Sequence, residues 1–280
     1  MRCVAHASRR LLRSLLKWRD WDGLPGGGEA IAIASCTNTS ARLATLHWPP
    51  GSSADQHDRA TRQGGPNCVL VQQTGGNLFF RTGALDAAAG TISWAAEKKL
   101  GAGSAIAVAM IDDAICLEAH IDQGQLYTNI GWLRGDGGID WDTPQSFGAA
   151  GAVAIGGSRD KLCVELHSGV GPDADKLFCT LGSIDLLHPK VKWGNTIGVG
   201  TGSHGSVAIS AGGRCIVTFA SNGTVYGRSG LVDVKAGNIE WFPVVELGKG
   251  AATAISIDDL GRCAEVHVDE KTAVCILGRH

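Results

Sequence analysis

The sequence predicts an all-β protein, a β-propeller of five or six four-stranded blades built from a repeat of about 48 residues. Three observations predict it: a short motif recurs at a regular interval, glycine is abundant, and a tryptophan keeps a fixed distance from the motif. The motif Cys-x-Glu-x-His begins at Cys116, Cys163 and Cys263, and weaker copies begin at Cys68 and Cys215. Consecutive motif cysteines are separated by 48, 47, 52 and 48 residues, in chain order. A period in this range is typical of repeat architectures.

The composition is that of a globular, turn-rich chain. There are 40 glycines among 280 residues, about twice the usual share of roughly 7%, which favours tight turns over long helices. Hydrophobic residues make up 44% and charged residues 19%, so the chain can bury a sizeable core. A net charge of −2 argues against a nucleic-acid partner, which would need a basic patch. No apolar run is long enough to predict a membrane span.

The cysteines are not predicted to form disulfides. The chain has nine cysteines, and five of them begin the repeated motifs. Equivalent positions in separate blades lie farther apart than the roughly 4.4–6.8 Å between Cα atoms that a disulfide requires. We therefore predict buried free thiols in a reducing compartment, and a cytoplasmic protein. No Cys-x-x-Cys pair or His/Cys ligand spacing occurs, so neither a metal nor a cofactor is predicted.

Each unit is predicted to contain four strands, a to d. Strand a, at 105–109 in one copy, has small and β-branched residues on both faces, which is typical of a strand buried on both sides. Strand b is the Cys-x-Glu-x-His motif, and strand c follows a tight polar turn at 123–125 and ends at Gly131. Strand d carries Ile139 and Trp141 as an Ile-x-Trp pattern, and each such tryptophan precedes the next motif cysteine by 22 residues, four times out of four. A spacing this constant indicates that packing fixes the geometry between strands d and b.

The two ends of the chain predict a closed ring. The chain ends after a strand c at 273–278, and residues 24–34 parallel residues 100–109. The chain therefore begins near strand d of the blade whose strands b and c end it. Joining the first and last segments in one blade removes an exposed sheet edge. We predict a single domain over 1–280 that is closed in this way.

Two segments near the N-terminus depart from the repeat. Residues 1–17 are interpreted as an N-terminal extension, with a transit peptide as an alternative, since Leu11, Leu12, Leu15 and Leu16 have helical spacing and no continuous apolar signal region occurs. Residues 36–67 are predicted to form an abbreviated or irregular blade. Within them, 42–47 fits strand b, whereas 46–48 resembles the Ile-x-Trp of strand d.

The Glu-x-His pairs are the first candidates for a functional site. A period of two places the cysteine, glutamate and histidine of each motif on one face of strand b. A glutamate beside a histidine can orient the imidazole and raise its pKa. Three copies in three blades cannot converge on one metal, so a hydrogen-bond network fixing each blade to its neighbour is favoured, with ligand contact as the alternative. The candidate residues are Glu118, His120, Glu165, His167, Glu265 and His267.

The tryptophans are the second set of candidates. An indole can stack on a sugar ring, and one tryptophan per blade would present several binding sites. A large aromatic side chain per blade can equally wedge adjacent sheets together, which we favour. Trp132 lies outside the repeat register and is the better candidate for binding. The candidate ligand-binding tryptophans are Trp94, Trp132, Trp141, Trp193 and Trp241.

The whole repeat resembles arrays in bacterial and fungal proteins of propeller type. The unit that carries the resemblance reads Leu-Tyr/Phe-x-x-Gly, Ile-x-Trp, Gly-x-Gly, Ala-Ile and Val-Glu-Val-His, and it covers about 67–280. Some of those arrays are attached to phospholipase-like or lectin-like modules. The resemblance implies the fold and a lectin-like recognition role, with no catalytic residues to transfer. The motifs at Cys68 and Cys215 lack the Glu-x-His pattern, so a site in every blade would be missing from two.

These observations predict a non-enzymatic binding module that recognises carbohydrate in clefts between blades or on one loop face. No Gly-x-Ser-x-Gly elbow, P-loop or His-Glu-x-x-His motif occurs. Residues 136–141 resemble part of the Asp-box of sialidases, a turn decoration that the other copies do not keep. The alternatives are an intracellular protein–protein interaction scaffold and a glycosidase-type hydrolase whose site is built from loops. The predicted partner is a carbohydrate or a protein.

Overall fold

The computed structural model describes residues 3–7, 41–45, 68–86, 91–112, 114–188, 190–269 and 272–279. Regular secondary structure in these ranges is β-strand, apart from one 3-10 turn at Gly171–Asp173. No helix in the described ranges is long and apolar enough to cross a membrane.

The strands form five antiparallel sheets, which we call blades 1 to 5. Blade 1 contains β2 (Ala41–Thr45), β3 (Cys68–Thr74), β4 (Asn77–Asp86), β5 (Thr91–Trp94) and β6 (Lys98–Ala102). Blade 2 contains β7 (Ala105–Met110), β8 (Ile115–Asp122), β9 (Gln125–Leu133), β10 (Ile139–Trp141) and β11 (Gln145–Ala149). Blade 3 contains β12 (Ala152–Gly157), β13 (Leu162–Ser168), β14 (Lys176–Asp185) and β15 (Lys190–Thr201).

The last two blades follow the same plan. Blade 4 contains β16 (Ser203–Ile209), β17 (Arg214–Ser221), β18 (Thr224–Asp233), β19 (Asn238–Trp241) and β20 (Val245–Lys249). Blade 5 contains β21 (Thr253–Ile257), β22 (Arg262–Asp269), β23 (Thr272–Arg279) and β1 (Cys3–Ala7).

The blades are arranged around their first strands. From blade 1 to blade 5, the first strands (β2, β7, β12, β16 and β21) contact one another in chain order. Strands b and c follow outward within each sheet, and strand d is outermost. This radial arrangement of antiparallel sheets is a β-propeller, and the predicted fold class is confirmed.

The N-terminal strand belongs to the C-terminal blade. β1 pairs with β23 from Cys3 opposite Leu277 to Ala7 opposite Ala273, so it occupies the outer position of blade 5. These residues lie within 1–17, which the sequence analysis interpreted as an N-terminal extension. Trp18 lies outside the described residues. The first and last strands thus share a sheet, while closure of the ring through that sheet stays a prediction.

Strand β2 corrects one assignment. It pairs with β3 from Ala41 opposite Gln72 to Thr45 opposite Cys68, which makes it strand a of blade 1. The interpretation of 42–47 as strand b is therefore wrong for 42–45, and residues 46–48, interpreted as strand d, lie outside the described residues. The strand is only five residues long, and an alternation this short fits an inner or a middle strand equally well. Most of the predicted irregular blade, residues 46–67, lies outside the described residues.

Strand d is split in three of the blades. In blade 1, β5 and β6 both pair with β4. In the same way, β10 and β11 both pair with β9, and β19 and β20 both pair with β18. Pro144 and Pro243 occupy two of the gaps, and proline cannot donate a ladder hydrogen bond. Blade 3 has no proline there, and β15 runs unbroken from Lys190 to Thr201.

The core lies between the blades. Apolar side chains from facing sheets pack into clusters that join blade 1 to blade 2, blade 2 to blade 3, and blade 3 to blade 4. The motif cysteines lie inside these clusters or beside them, and Cys116, Cys163 and Cys215 are fully buried. Cys68, Cys116, Cys163, Cys179, Cys215 and Cys263 are free thiols, and burial raises the pKa of Cys68 to about 12. Such thiols act as small apolar core residues.

Candidate functional site

The three Glu-x-His pairs have one geometry. Nδ1 of His120 lies 2.8 Å from Oε1 of Glu118, and Nδ1 of His167 lies 2.9 Å from Oε2 of Glu165. His267 and Glu265 repeat the arrangement at 2.8 Å. The period of the strand places both side chains on the face toward the preceding blade, with the carboxylate buried in each case. The pairs therefore lie in three separate interfaces and do not form one site.

Two further contacts tie these pairs into the blade interfaces. The His167 ring stacks on Phe178 of its own blade and meets Phe147 of blade 2 edge-on, with centroids 5.5 and 6.0 Å apart. In blade 5, the Thr253 hydroxyl donates to Oε1 of Glu265 at 2.5 Å and lies 3.0 Å from the hydroxyl of Thr218 in blade 4. These contacts fit the favoured role of the pairs as links between neighbouring blades.

Burial and mutual charge act on the pKa values of the blade 2 pair. Burial raises the pKa of the Glu118 carboxyl, and the hydrogen bond and charge of His120 oppose that rise. For His120, burial acts to lower the pKa, but the hydrogen bond and charge of Glu118 outweigh it and the pKa is raised. Both shifts mean that the folded protein holds these protons more tightly than the unfolded chain does.

The pair should make stability depend on pH. Because the pKa of His120 is raised, its stabilisation is fully present below the ordinary histidine value of 6.5 and is lost as the pH rises through the higher folded value, while that of Glu118 is fully present only below the ordinary glutamate value of 4.5. We expect the free energy of unfolding to fall as the pH rises above the ordinary histidine value, as measured by urea denaturation. The variant E118V/H120F should show a flatter profile, and an identical slope in both proteins would rule out this contribution.

The tryptophans lie mainly in the packing between blades. Trp141 meets Phe80 of blade 1 edge-on at 5.8 Å, and Trp193 meets Phe147 of blade 2 at 5.0 Å. Trp241 packs against the cluster that joins blades 3 and 4. The indole nitrogens of these three residues are buried without a hydrogen-bond partner in the described part of the chain. This placement suits a wedge between sheets and leaves no indole donor for a sugar.

The other two tryptophans differ from these three. Trp94 on β5 is 38% exposed, and it is the strand-d tryptophan most open to solvent. Trp132 is half-buried and packs against the cluster that joins blades 2 and 3. The structure thus does not gather the predicted tryptophans and Glu-x-His residues at one place.

A different set of carboxylates does converge, at the turns that join strands a and b. Oδ2 of Asp160 in blade 3 accepts a hydrogen bond from the backbone N–H of Gly212 at 2.7 Å. Oδ1 of Asp259 in blade 5 accepts one from the backbone N–H of Ala211 at 2.9 Å. Both donors belong to the a–b turn of blade 4. One turn therefore holds two carboxylates that come from the blades on either side of it.

The hydrogen bonds limit how far apart the two carboxylates are. Consecutive backbone nitrogens lie at most about 3.7 Å apart, so the two accepting oxygens lie within about 9 Å of each other. The turn can present adjacent N–H groups because Gly212 and Gly213 have φ values of +84° and +77°, a left-handed conformation that glycine adopts without steric cost. Successive N–H groups in such a turn form an anion-binding concavity.

A third carboxylate lies at the same end of the inner strands. Asp112, in the a–b turn of blade 2, accepts an ion-pair hydrogen bond through Oδ2 from Nζ of Lys161 in blade 3, and its Oδ1 accepts from the N–H of Ala114. We call Asp112, Asp160 and Asp259 the turn carboxylates. In the described part of the chain, no three His, Cys, Asp or Glu side chains are placed to share a metal ion.

The sequence carried a signal for the turn carboxylates that the repeat analysis missed. Asp112 and Asp259 precede their motif cysteines by four residues, and Asp160 precedes Cys163 by three. Alignment of the repeats on the cysteines would have shown an acidic position at this turn in three of the blades. Their mutual proximity could not be read in that way, because it depends on how the blades are arranged around the axis.

Comparison with known proteins supports the fold. No protein-family model matches the sequence, and no curated protein matches it. Among solved structures, a putative 6-phosphogluconolactonase from Bacteroides uniformis matches with a TM-score of 0.52 and 13% identity, over 89% of this chain and 70% of that one. A variant of the NanB sialidase from Streptococcus pneumoniae matches with a TM-score of 0.50 and 13% identity, over 72% of this chain. This chain covers only 35% of the sialidase chain.

These matches correct the predicted function. Both of these solved structures are named as enzymes, which contradicts the expectations of a non-enzymatic, lectin-like module and of a chain without enzymatic activity. The sequence prediction rested on the absence of contiguous active-site motifs. Carboxylates contributed by the turns of separate blades lie far apart in sequence and leave no contiguous motif.

Proposed function

We propose that this protein is a glycoside hydrolase whose catalytic carboxylates are Asp160 and Asp259. The observation that carries the proposal is that adjacent backbone N–H groups of Ala211 and Gly212 hold these two side chains. Glycoside hydrolysis commonly uses two carboxyl groups about 5–9.5 Å apart, one as the acid and the other as base or nucleophile. The limit of about 9 Å on their separation is compatible with that requirement.

The surroundings of the pair support the proposal. The pair lies where the inner strands β12 and β21 end, so the carboxylates are placed by rigid sheet elements on short turns. Asp160 is exposed and Asp259 is half-buried, which leaves the pair accessible to a substrate. A sialidase is among the proteins with a similar fold, which supports a carbohydrate substrate.

The roles of the two residues follow from acid–base chemistry. One carboxylic acid would protonate the oxygen of the leaving sugar as the glycosidic bond breaks. The other, as a carboxylate, would either attack the sugar carbon or take a proton from the attacking water. The blade 4 turn would keep both side chains in place, so that little reorganisation is needed when the substrate binds.

A substrate panel tests the proposal. The full-length protein is assayed with 4-nitrophenyl glycosides, a 4-methylumbelliferyl sialoside and a sugar lactone. We expect hydrolysis of at least one glycoside, and a loss of about 10²- to 10⁴-fold in kcat for Asp160→Asn and for Asp259→Asn.

The matched control is Asp233→Asn. Oδ1 of Asp233 also accepts backbone N–H bonds, from Lys235 and Ala236 at 2.9 and 3.0 Å, but in an outer turn of blade 4, and this variant should keep full activity. Hydrolysis of the lactone alone, a folded protein inactive on every glycoside, or full activity in Asp160→Asn and Asp259→Asn would each overturn the proposal.

A further inference from the structure

Lys161 has a backbone conformation that is unfavourable for its residue type. Its φ is +62°, in the left-handed region where a side chain is strained and glycine is favoured. It lies in the a–b turn of blade 3, and its N–H donates to the carbonyl of Ser158 at 3.1 Å. Strained residues of this kind cluster at functional sites, so each one warrants a functional explanation.

The other blades show what this turn ordinarily requires. Gly213 in blade 4 and Gly261 in blade 5 occupy the equivalent position, with φ values of +77° and +76°. Their N–H groups make the same turn hydrogen bond, to Ser210 at 3.1 Å and to Asp258 at 3.0 Å. Blades 4 and 5 thus place glycine where blade 3 has lysine in the same conformation, so the lysine side chain calls for an explanation.

The Lys161 side chain supplies such a requirement. Its ammonium group crosses from blade 3 to blade 2 and pairs with Asp112, and both side chains are about one-third exposed. An exposed ion pair of this kind contributes little to stability, so stability does not explain why the strained lysine is present. The pair does link the a–b turns of blades 2 and 3, and Lys161 directly follows Asp160 in the chain.

We infer that Lys161 is a positioning residue, held in a strained conformation so that its ammonium fixes the Asp112 carboxylate at the end of the inner strands where the catalytic pair lies. The inference rests on the proposed function. With three carboxylates at one end of the inner strands, the ammonium also offsets their mutual repulsion. Glycine at this position would remove the backbone strain, and it would also remove the ammonium that pairs with Asp112.

The test uses three variants of the full-length protein and the glycoside that the wild-type protein hydrolyses. Lys161→Gly removes both the strain and the charge, so we expect Tm to stay level or rise by about 2 °C while kcat falls about tenfold to a hundredfold. Lys161→Arg keeps the charge and the strain and should restore most of kcat. If Lys161 had only a structural role, Lys161→Gly would not lower kcat while Tm is kept.

Gln123→Gly is the matched control. Gln123 has a φ of +49° in the b–c turn of blade 2, at the opposite end of the strands, so relief of strain there should leave kcat unchanged. Wild-type kcat in Lys161→Gly, or a kcat in Lys161→Arg as low as in Lys161→Gly, would overturn the inference while the dependence on Asp160 stands. Activity that does not depend on Asp160 and Asp259 would instead overturn the proposed function and this inference with it.

Discussion

Replacing His167 by phenylalanine is expected to lower the free energy of unfolding by about 3–5 kcal/mol, because it leaves a buried charge without its partner. The Glu165 carboxylate is fully buried. Burial raises the pKa of Glu165, and its hydrogen bond with His167 opposes that rise. Urea denaturation at neutral pH measures the loss. The deficit should shrink as the pH is lowered through the raised pKa of Glu165, above the ordinary range of glutamate, because the carboxyl then takes up a proton.

Blade 4 supplies the matched control for this prediction. It carries Val217 and Phe219 at the equivalent positions, both buried, and Phe219 stacks on Tyr226 with centroids 5.8 Å apart. His167 stacks on Phe178 in the same way, at 5.5 Å. The double variant E165V/H167F should therefore recover most of the lost stability. If the double variant were as unstable as H167F, the loss would come from packing and not from the unpaired charge.

Replacing Gly182 by alanine is expected to destabilise the protein by about 3 kcal/mol or more, because overpacking forces a close-packed core to move. A Cβ at this position would lie 2.6 Å from Val191 Cγ1, 2.7 Å from Cys163 Sγ and 2.7 Å from Trp193 Cε3. These atoms belong to the strands on either side of strand c, so none of them can yield alone. Thermal and urea unfolding measure the effect.

Gly198→Ala is the control in the same blade. Gly198 lies on β15, where an added Cβ would meet nothing within 4 Å, so the change should be within about 0.5 kcal/mol. Equal effects at the two glycines would show that backbone flexibility decides the outcome, and not the contacts of the missing Cβ. Gly83, Gly131 and Gly230 have the same close surroundings, which explains why strand c carries a glycine at this position in successive repeats. The predicted end of strand c at this glycine is wrong, because β4, β9, β14 and β18 continue for two or three residues beyond it.

The polar residues of the chain divide into two sets by position. The Glu-x-His pairs lie on strand b between blades, where a buried carboxylate needs a partner and the histidine provides it. The turn carboxylates lie at the ends of the inner strands, where Asp160 is exposed and backbone N–H groups hold Asp160 and Asp259. The repeated set was conspicuous in the sequence because packing imposes it in several blades. The set that supports the proposed chemistry was hidden because each blade contributes a single residue.

The sequence by itself determined the elements of the fold. The cysteine period, the alternation along strand b, the glycine-rich hairpins and the Ile-x-Trp pattern all express local geometry, since side-chain alternation and turn conformation depend on neighbouring residues. They were sufficient to predict antiparallel blades and strands a, b and c, and to place a strand at Ile139–Trp141. The break in strand d was also readable in part, because Pro144 and Pro243 lie in the gaps.

Only the tertiary structure decided which residues meet. The pairing of Cys3–Ala7 with the last strand joins segments from opposite ends of the chain. The hydrogen bonds from Ala211 and Gly212 to Asp259 and Asp160 join three blades. Such contacts depend on how whole sheets pack against one another. That packing is the sum of many small contributions along the chain, so it leaves no periodic pattern in the sequence. The candidate site therefore became visible only when the blades were placed beside one another.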